Sequence, residues 1–189
     1  MKPIQYATFM SMVYLVALSS KDIRTKIGAV IVNQDLELLS TGYNGLPRGA
    51  DDTIAERQEK PLKYSWFEHA ERNAIYNATR KGVSLKDSIM FTQGLPCPDC
   101  ARAIIQAGIK KVVLHKPWND ANSTNYDYTS TSEMFNECGV EIDIWDGYLM
   151  TPVGFRRGEM VSFGFRVASY LHGHDEVEDT TCPFKLYIK

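Results

Sequence analysis

The chain has 189 residues, 44% hydrophobic and 23% charged, with a formal net charge of −2. That is one globular domain's worth of sequence with a short appendage, able to bury roughly 70% of its unfolded surface, and it excludes wholesale disorder, collagen and simple coiled coil. The balance of 21 Lys plus Arg against 23 Asp plus Glu offers no field for nucleic acid or an anionic membrane. The longest apolar run, Met12 to Leu18, is too short to span a bilayer, and the first residues lack the order of a signal peptide. There are four Cys, two of them in one C-x-x-C. That pattern argues against a disulfide scaffold and for a reduced, cytoplasmic protein with a metal or redox site.

In chain order, residues 3–20 place Phe9, Met12, Val13, Val16 and Ala17 at helical spacing. Ile27 to Asn33 is β-branched and nearly continuous, as a buried strand should be. Leu36 to Thr41 follows as its hairpin partner. Residues 42–65 are a long Gly-, Pro- and charge-rich connection, a length often associated with function. Glu71 to Lys81 reads as a helix stopped by Gly82. Ser88 to Gln93 reads as a strand, and Pro98 to Ala107 as a helix with Pro at its first position and Gly108 beyond its end. Lys111 to His115 is a strand, 119–132 a polar loop, Ser132 to Cys138 a short helix and Val140 to Trp145 a strand. This order describes an α/β protein with helices packed on a mixed sheet. Beyond Gly147 the pattern weakens, and 172–181 reads as an exposed acidic tail or loop. The expected division is 1–146 for the main domain and 147–189 for a C-terminal extension.

The chemistry concentrates in His69-Ala70-Glu71 and Pro96-Cys97-Pro98-Asp99-Cys100. Cys97 and Cys100 stand three apart at the start of a predicted helix, which puts both sulfurs on one face and lets the positive helix end favour thiolates. Two thiolates and one imidazole make three zinc ligands, with the fourth tetrahedral position left to water. Such a site brings the water's pKa to about 7. Glu71, two residues from His69, need not bind the metal and suits a proton shuttle. Either half alone is weak. A lone C-x-x-C is as often redox-active or structural, and a lone His on an apolar helix is usually a packed side chain.

Together they match the H-x-E…P-C-x-x-C signature of zinc deaminases. The chain resembles the deoxycytidylate (dCMP) deaminases of the cytidine deaminase superfamily over roughly residues 8–146. The resemblance rests on Ser20-Lys21-Asp22, Ile27-Gly28-Ala29, Gly42-Tyr43-Asn44-Gly45, Asp51-Asp52, the two motifs above and Ile104 to Ile109. The stretch Gly42 to Gly49 is what points to the dCMP branch. The fold it implies is a three-layer α/β/α sandwich around a five-stranded mixed sheet. The activity it implies is hydrolysis of dCMP to dUMP and ammonia, supplying dUMP for thymidylate synthesis, with His69, Cys97 and Cys100 on one Zn²⁺ and Glu71 protonating N3 and then the departing amine.

The same resemblance suggests that the Ala70 N–H holds the base carbonyl and Asn44 contacts the sugar hydroxyl. The competing reading of Asn44 is a left-handed turn residue. Trp118 stands near the base or in the core. Arg24 and Lys26 are candidates for the phosphate, although a cluster with Lys21 is usually a solvated face. Relatives imply a homohexamer activated by dCTP and inhibited by dTTP, with Mg²⁺ accompanying the triphosphate. Gly42, Asn44, Gly45, Arg48 and Gly49 would form the effector region. Arg72 departs from the apolar residue of several relatives. Cys138 is expected to be packed, and His172 and His174 to belong to a solvated tail. Rival readings are a deaminase of cytidine, guanine or tRNA adenosine, a non-catalytic nucleotide-binding module, and a C-x-x-C redox protein.

Overall fold

The computed structural model describes residues 1–116, 118 and 128–149, and the backbone of two short strands at 153–156 and 159–162. The chain divides into two compact units, Met1–Met150 and Thr151–Lys189.

In the first unit, α1 (Pro3–Ala17) precedes the hairpin β1 (Gly28–Val32) and β2 (Leu38–Tyr43). The 42–65 connection is not structureless: it holds a 3-10 turn (Ala55–Gln58) and leads into the five-residue helix α2 (Leu62–Trp66). Next come α3 (Ala70–Arg80), β3 (Ile89–Thr92), α4 (Pro98–Gln106), β4 (Lys111–His115), α5 (Thr129–Glu137) and β5 (Glu141–Trp145). The second unit contributes an antiparallel hairpin, β6 (Val153–Arg156) and β7 (Glu159–Ser162), where the sequence pattern had suggested no element. The acidic stretch 172–181, His172, His174 and Cys182 lie outside the described residues.

The sheet has the order β2-β1-β3-β4-β5. β1 runs antiparallel to β2 and β3, while β3, β4 and β5 are mutually parallel. It is the expected five-stranded mixed sheet with helices on both faces. Every residue of β1 and β3 is buried, which is why these strands read as unbroken apolar runs rather than alternating ones. On one face Val30, Val32, Phe91 and Val113 meet Met10 and Val13 of α1. On the other, Ala29, Ile31, Met90, Val112 and Leu114 meet Ala70, Ala74 and Ala78 of α3, Ala101 and Ile104 of α4 and Phe135 of α5.

Three details differ from the sequence reading. The buried stripe of α1 is Ala7, Met10, Val13 and Ala17, so Phe9, Met12 and Val16 lie at its flanks; α1 is apolar nearly all round, and periodicity alone did not select the face. α5 begins at Thr129 rather than Ser132, because the Thr131 hydroxyl is buried and donates to the Pro96 carbonyl at 3.0 Å. Cys138 is exposed rather than packed, since it caps the end of α5 beyond the face that Thr131 and Phe135 bury.

The register places the start of β1 beside the ends of β2 and β3: Gly28 pairs with Tyr43, and Ala29 with Thr92. Residues just outside these pairs, at 26–27, 44–45 and 93–97, share one edge of the sheet. Gly42 sets how closely α3 lies on that edge. A Cβ there would sit 2.2 Å from the Ala74 nitrogen and 2.4 Å from the Ala70 carbonyl oxygen. Both are backbone atoms, so α3 itself would have to move. Gly42→Ala is therefore expected to destabilise the fold by about 3 kcal/mol, lowering Tm by roughly 6–12 °C. A thermal melt within 2 °C of wild type would contradict this packing.

Candidate metal centre and active site

Two helix N-termini converge here. His69 caps α3 with extended backbone (φ −79°, ψ 155°), and its side chain makes no capping bond to the helix. The ring is turned instead toward two sulfurs: His69 Nδ1 lies 3.4 Å from Cys97 Sγ and 3.5 Å from Cys100 Sγ. Cys97 caps α4, with Pro98 as its first residue, and Cys100 follows in the first turn, fully buried. The three donor atoms lie within 4.8 Å of one another, and among the described residues no other His, Cys, Asp and Glu side chains form such a cluster.

The donors fit zinc. With Zn–S of about 2.3 Å, Zn–N of about 2.0–2.1 Å and tetrahedral angles, a nitrogen and a sulfur on one ion stand roughly 3.5 Å apart, which is the separation found. A hydrogen bond from Cys100 holds the Cys97 thiol down at about 4, against burial and with help from His69. Cys100 is pushed up, because its proton is shared with Cys97 and it is buried. The Cys97 bond raises His69 against its own burial.

Glu71 is 6% exposed. It stands outside the donor triangle, with Oε2 accepting from Cys100 Sγ at 3.7 Å. Burial raises its pKa, with the nearby His69 charge opposing, which suits a carboxyl that must both take and return a proton. Ala70 is the first residue of α3 and fully buried, at a position where helix N–H groups lack intrahelical partners.

The other expected residues divide. Asn44 is at the site edge: Gly45 and Glu68 exchange both backbone hydrogen bonds (3.0 and 2.8 Å), which sets Asn44 beside the segment leading into His69. Lys26 donates to the Ser20 carbonyl, and Arg24 is ion-paired with Glu59 at the surface. Trp118 is half-buried. It meets Tyr14 edge-on at 6.3 Å and lies over Gly94, where a Cβ would approach its ring to 3.0 Å. Burial pushes the Tyr14 phenol up to about 12, so it stays protonated; its oxygen lies 2.7 Å from His115 Nδ1, while His115 Nε2 faces the Gly147 carbonyl at 3.1 Å. In the Gly42–Gly49 stretch, Arg48 donates to Asn77, and Gly49 adopts φ +82°.

Several supports come from residues whose contacts the sequence did not reveal. Arg72 pairs with Glu68 and reaches Asp99 at 3.6 Å, tying α3 to α4. Burial works against its charge, and the neighbouring Cys100, Glu68 and Cys97 outweigh it. Tyr128 lies close enough that, after burial, the negative charges of Cys97 and Glu71 push its phenol up; it sits in a polar stretch with no periodicity to betray it. Asp22 is 2% exposed and paired with Lys63 at 2.7 Å, a long-range buried ion pair whose disruption costs about 3–5 kcal/mol.

A sheet of this topology, with a His-Cys-Cys donor set at two helix starts and a buried Glu beside it, defines a zinc-deaminase class of site. Residues 3–116 match the family model described as the cytidine and deoxycytidylate deaminase zinc-binding region. Human deoxycytidylate deaminase is 35% identical over 137 residues, covering 70% of this chain and 74% of that protein. An uncharacterised deaminase of Aliivibrio fischeri is 38% identical over 135 residues, covering 71% and 88%. The structure of the dCMP deaminase of cyanophage S-TIM5 in complex with dCMP and dUMP superimposes with a TM-score of 0.60 at 28% identity, covering 77% of this chain and 99% of that one. The chain belongs to the cytidine and deoxycytidylate deaminase family and is a hydrolase. Among the described residues no helix is long and apolar enough to cross a membrane.

Proposed function

We propose that this chain converts dCMP to dUMP and ammonia. The reading is carried by the buried Glu71 beside the His69–Cys97–Cys100 triangle, in a chain whose relatives include human deoxycytidylate deaminase and the cyanophage enzyme bound to dCMP and dUMP. Bound zinc would supply the Lewis acid that makes water nucleophilic near neutral pH. Glu71 moves the protons: its carboxylate takes one from water and gives it to N3 of the pyrimidine, then takes a second from the hydroxyl newly bonded to C4 and gives it to the departing 4-amino group, leaving the C4 carbonyl of dUMP. The Ala70 N–H, at the positive end of α3, holds the base carbonyl. Asn44 takes the sugar hydroxyl, Trp118 borders the base, and Lys26 with Arg24 meets the phosphate, Arg24 by exchanging Glu59 for it. Catalysis resides in residues 1–146, and 147–189 form an extension. The product supplies thymidylate synthesis in the cytoplasm.

The test is the loss of cytosine absorbance on mixing zinc-loaded protein with dCMP, with ammonia measured in parallel. Stoichiometric dUMP and ammonia are expected. Turnover of cytidine, dCTP or guanine with none of dCMP would sink the substrate assignment.

Regulation belongs to the same proposal. Activation by dCTP with Mg²⁺ and inhibition by dTTP would act through Gly42, Gly45, Arg48 and Gly49 in a homohexamer. Arg48, exposed and bonded to the neutral amide of Asn77, supports an anion contact. Titrating dTTP is expected to lower the rate and raise Tm. A rate and a Tm both unchanged by dTTP would end that part of the reading.

A further inference from the structure

His115 ends β4 and is buried. Parallel pairing of Thr92 with Leu114 sets it beside Gln93, at the sheet edge that carries the site. Both ring nitrogens are engaged. Nε2 faces the Gly147 carbonyl at 3.1 Å. A carbonyl only accepts, so Nε2 carries the proton of the neutral ring and Nδ1 keeps a lone pair. The Tyr14 hydroxyl, 2.7 Å from Nδ1, therefore donates to it. The imidazole is itself fixed: Trp145 stacks on it at 5.4 Å, and its backbone N–H donates to the Gln93 carbonyl at 3.1 Å. The Tyr14 ring, brought by α1 from a segment with no site motif, is thereby held in one orientation. It meets Trp118 edge-on, with centroids 6.3 Å apart and planes at 74°. The indole also lies over Gly94, where a Cβ would come to 3.0 Å from Cδ1 and 3.4 Å from Nε1. Gly94 stands three residues before Cys97, so this ring rests on the loop that delivers a metal donor.

We propose that Tyr14 and His115 are positioning residues for Trp118: their hydrogen bond fixes the Tyr14 ring, that ring holds the indole on Gly94, and the pair thus sets how tightly the nucleotide is bound and not how fast protons move. This rests on the proposed dCMP reading, in which Trp118 borders the base, and deepens it. A ring contact to the base is made before and during the reaction alike. Loosening it is a loss of uniform binding, which raises KM and spares kcat.

The experiment measures kcat and KM for dCMP on zinc-loaded wild type, Tyr14→Phe, Trp118→Leu and the double variant. Tyr14→Phe keeps the ring and removes only the hydroxyl that His115 holds. It is expected to raise KM about fivefold, the scale of one net hydrogen bond, with kcat within about twofold and zinc content unchanged. Trp118→Leu should raise KM at least as much, and adding Tyr14→Phe to it should change KM no further, because Tyr14 acts through that ring. An unchanged KM in Tyr14→Phe, an equal fall in kcat and kcat/KM, or full additivity with Trp118→Leu would each overturn the inference. At His115 the acceptor can be separated from the bulk. Asn places Oδ1 where Nδ1 stands, so His115→Asn should keep KM within about twofold of wild type, whereas His115→Leu should raise it as Tyr14→Phe does. Equal KM in these two would also overturn the inference, and the comparison decides the case if Tyr14→Phe fails to fold. Wild-type protein that turns over no dCMP would instead take down the substrate reading itself, and this inference with it.

Discussion

Glu71→Gln is expected to keep one zinc per chain and to lose roughly a thousandfold or more in kcat, toward the upper end of what general acid–base catalysis contributes. The size of the effect follows from the double duty of one carboxyl. The same carboxyl must carry one proton from water to N3 and a second from the new C4 hydroxyl to the amine, and an amide can carry neither. The metal should be untouched, because His69, Cys97 and Cys100 form the donor triangle without Glu71. The substitution is nearly isosteric, which matters at 6% exposure: Gln fills the space, whereas Ala would leave a cavity and confuse rate with stability. Ammonia release and metal content, measured on one preparation, check both halves. A variant with a tenth of wild-type turnover would remove Glu71 from the proton path. A zinc-free variant would make it a ligand.

Cys100→Ser should abolish stoichiometric zinc binding and the stabilisation that accompanies it. Cys100 is fully buried, and its sulfur sits 3.5 Å from His69 Nδ1. A serine hydroxyl there is a poor ligand, since it does not ionise as a thiol does. For wild type with free zinc about a thousandfold above Kd, binding to the folded state alone adds about 4 kcal/mol, a rise in Tm of roughly 8–16 °C for a chain of this size. Chelator-treated wild type should melt lower by that amount and recover on adding zinc, while Cys100→Ser should show no zinc-dependent shift. An equal shift in the variant would mean that the ion binds elsewhere. The expected difference dwarfs the intrinsic cost of Cys→Ser on the melt only if apo proteins are compared as well, so both are run without metal.

The redox alternative bears on the same residues. A thioredoxin-like C-x-x-C would follow the first strand, whereas Cys97 and Cys100 follow β3, with an imidazole equidistant from both sulfurs. That arrangement fits a metal-ligand set, and its legibility from sequence has a simple cause. His, Glu and two Cys are chemically specific, and each lies at a helix start that local signals mark: Pro98 at the first position of α4, Gly82 and Gly108 beyond the ends of α3 and α4. β1, β3 and β4 were equally legible, because strands buried on both faces are written as runs of apolar residues.

What the chain alone determined, then, is the candidate metal donor set, the carboxyl beside it and the alternation of strands and helices, since these depend on residue type and on spacing within one element. What only the tertiary structure decided is which polar groups bond to one another around the site. Asp22, Asn44 and Lys63 come from three separate segments, and nothing in their local sequence tells that they share one network. Arg24 and Lys26 look alike as cations, yet one pairs with Glu59 and the other with the Ser20 carbonyl. Gly42 looked like part of a ligand loop, yet the closeness of α3 already requires a glycine there. A hydrogen bond or a close approach depends on distances across the fold, and those are set by how the helices seat on the sheet, which no single stretch of residues encodes.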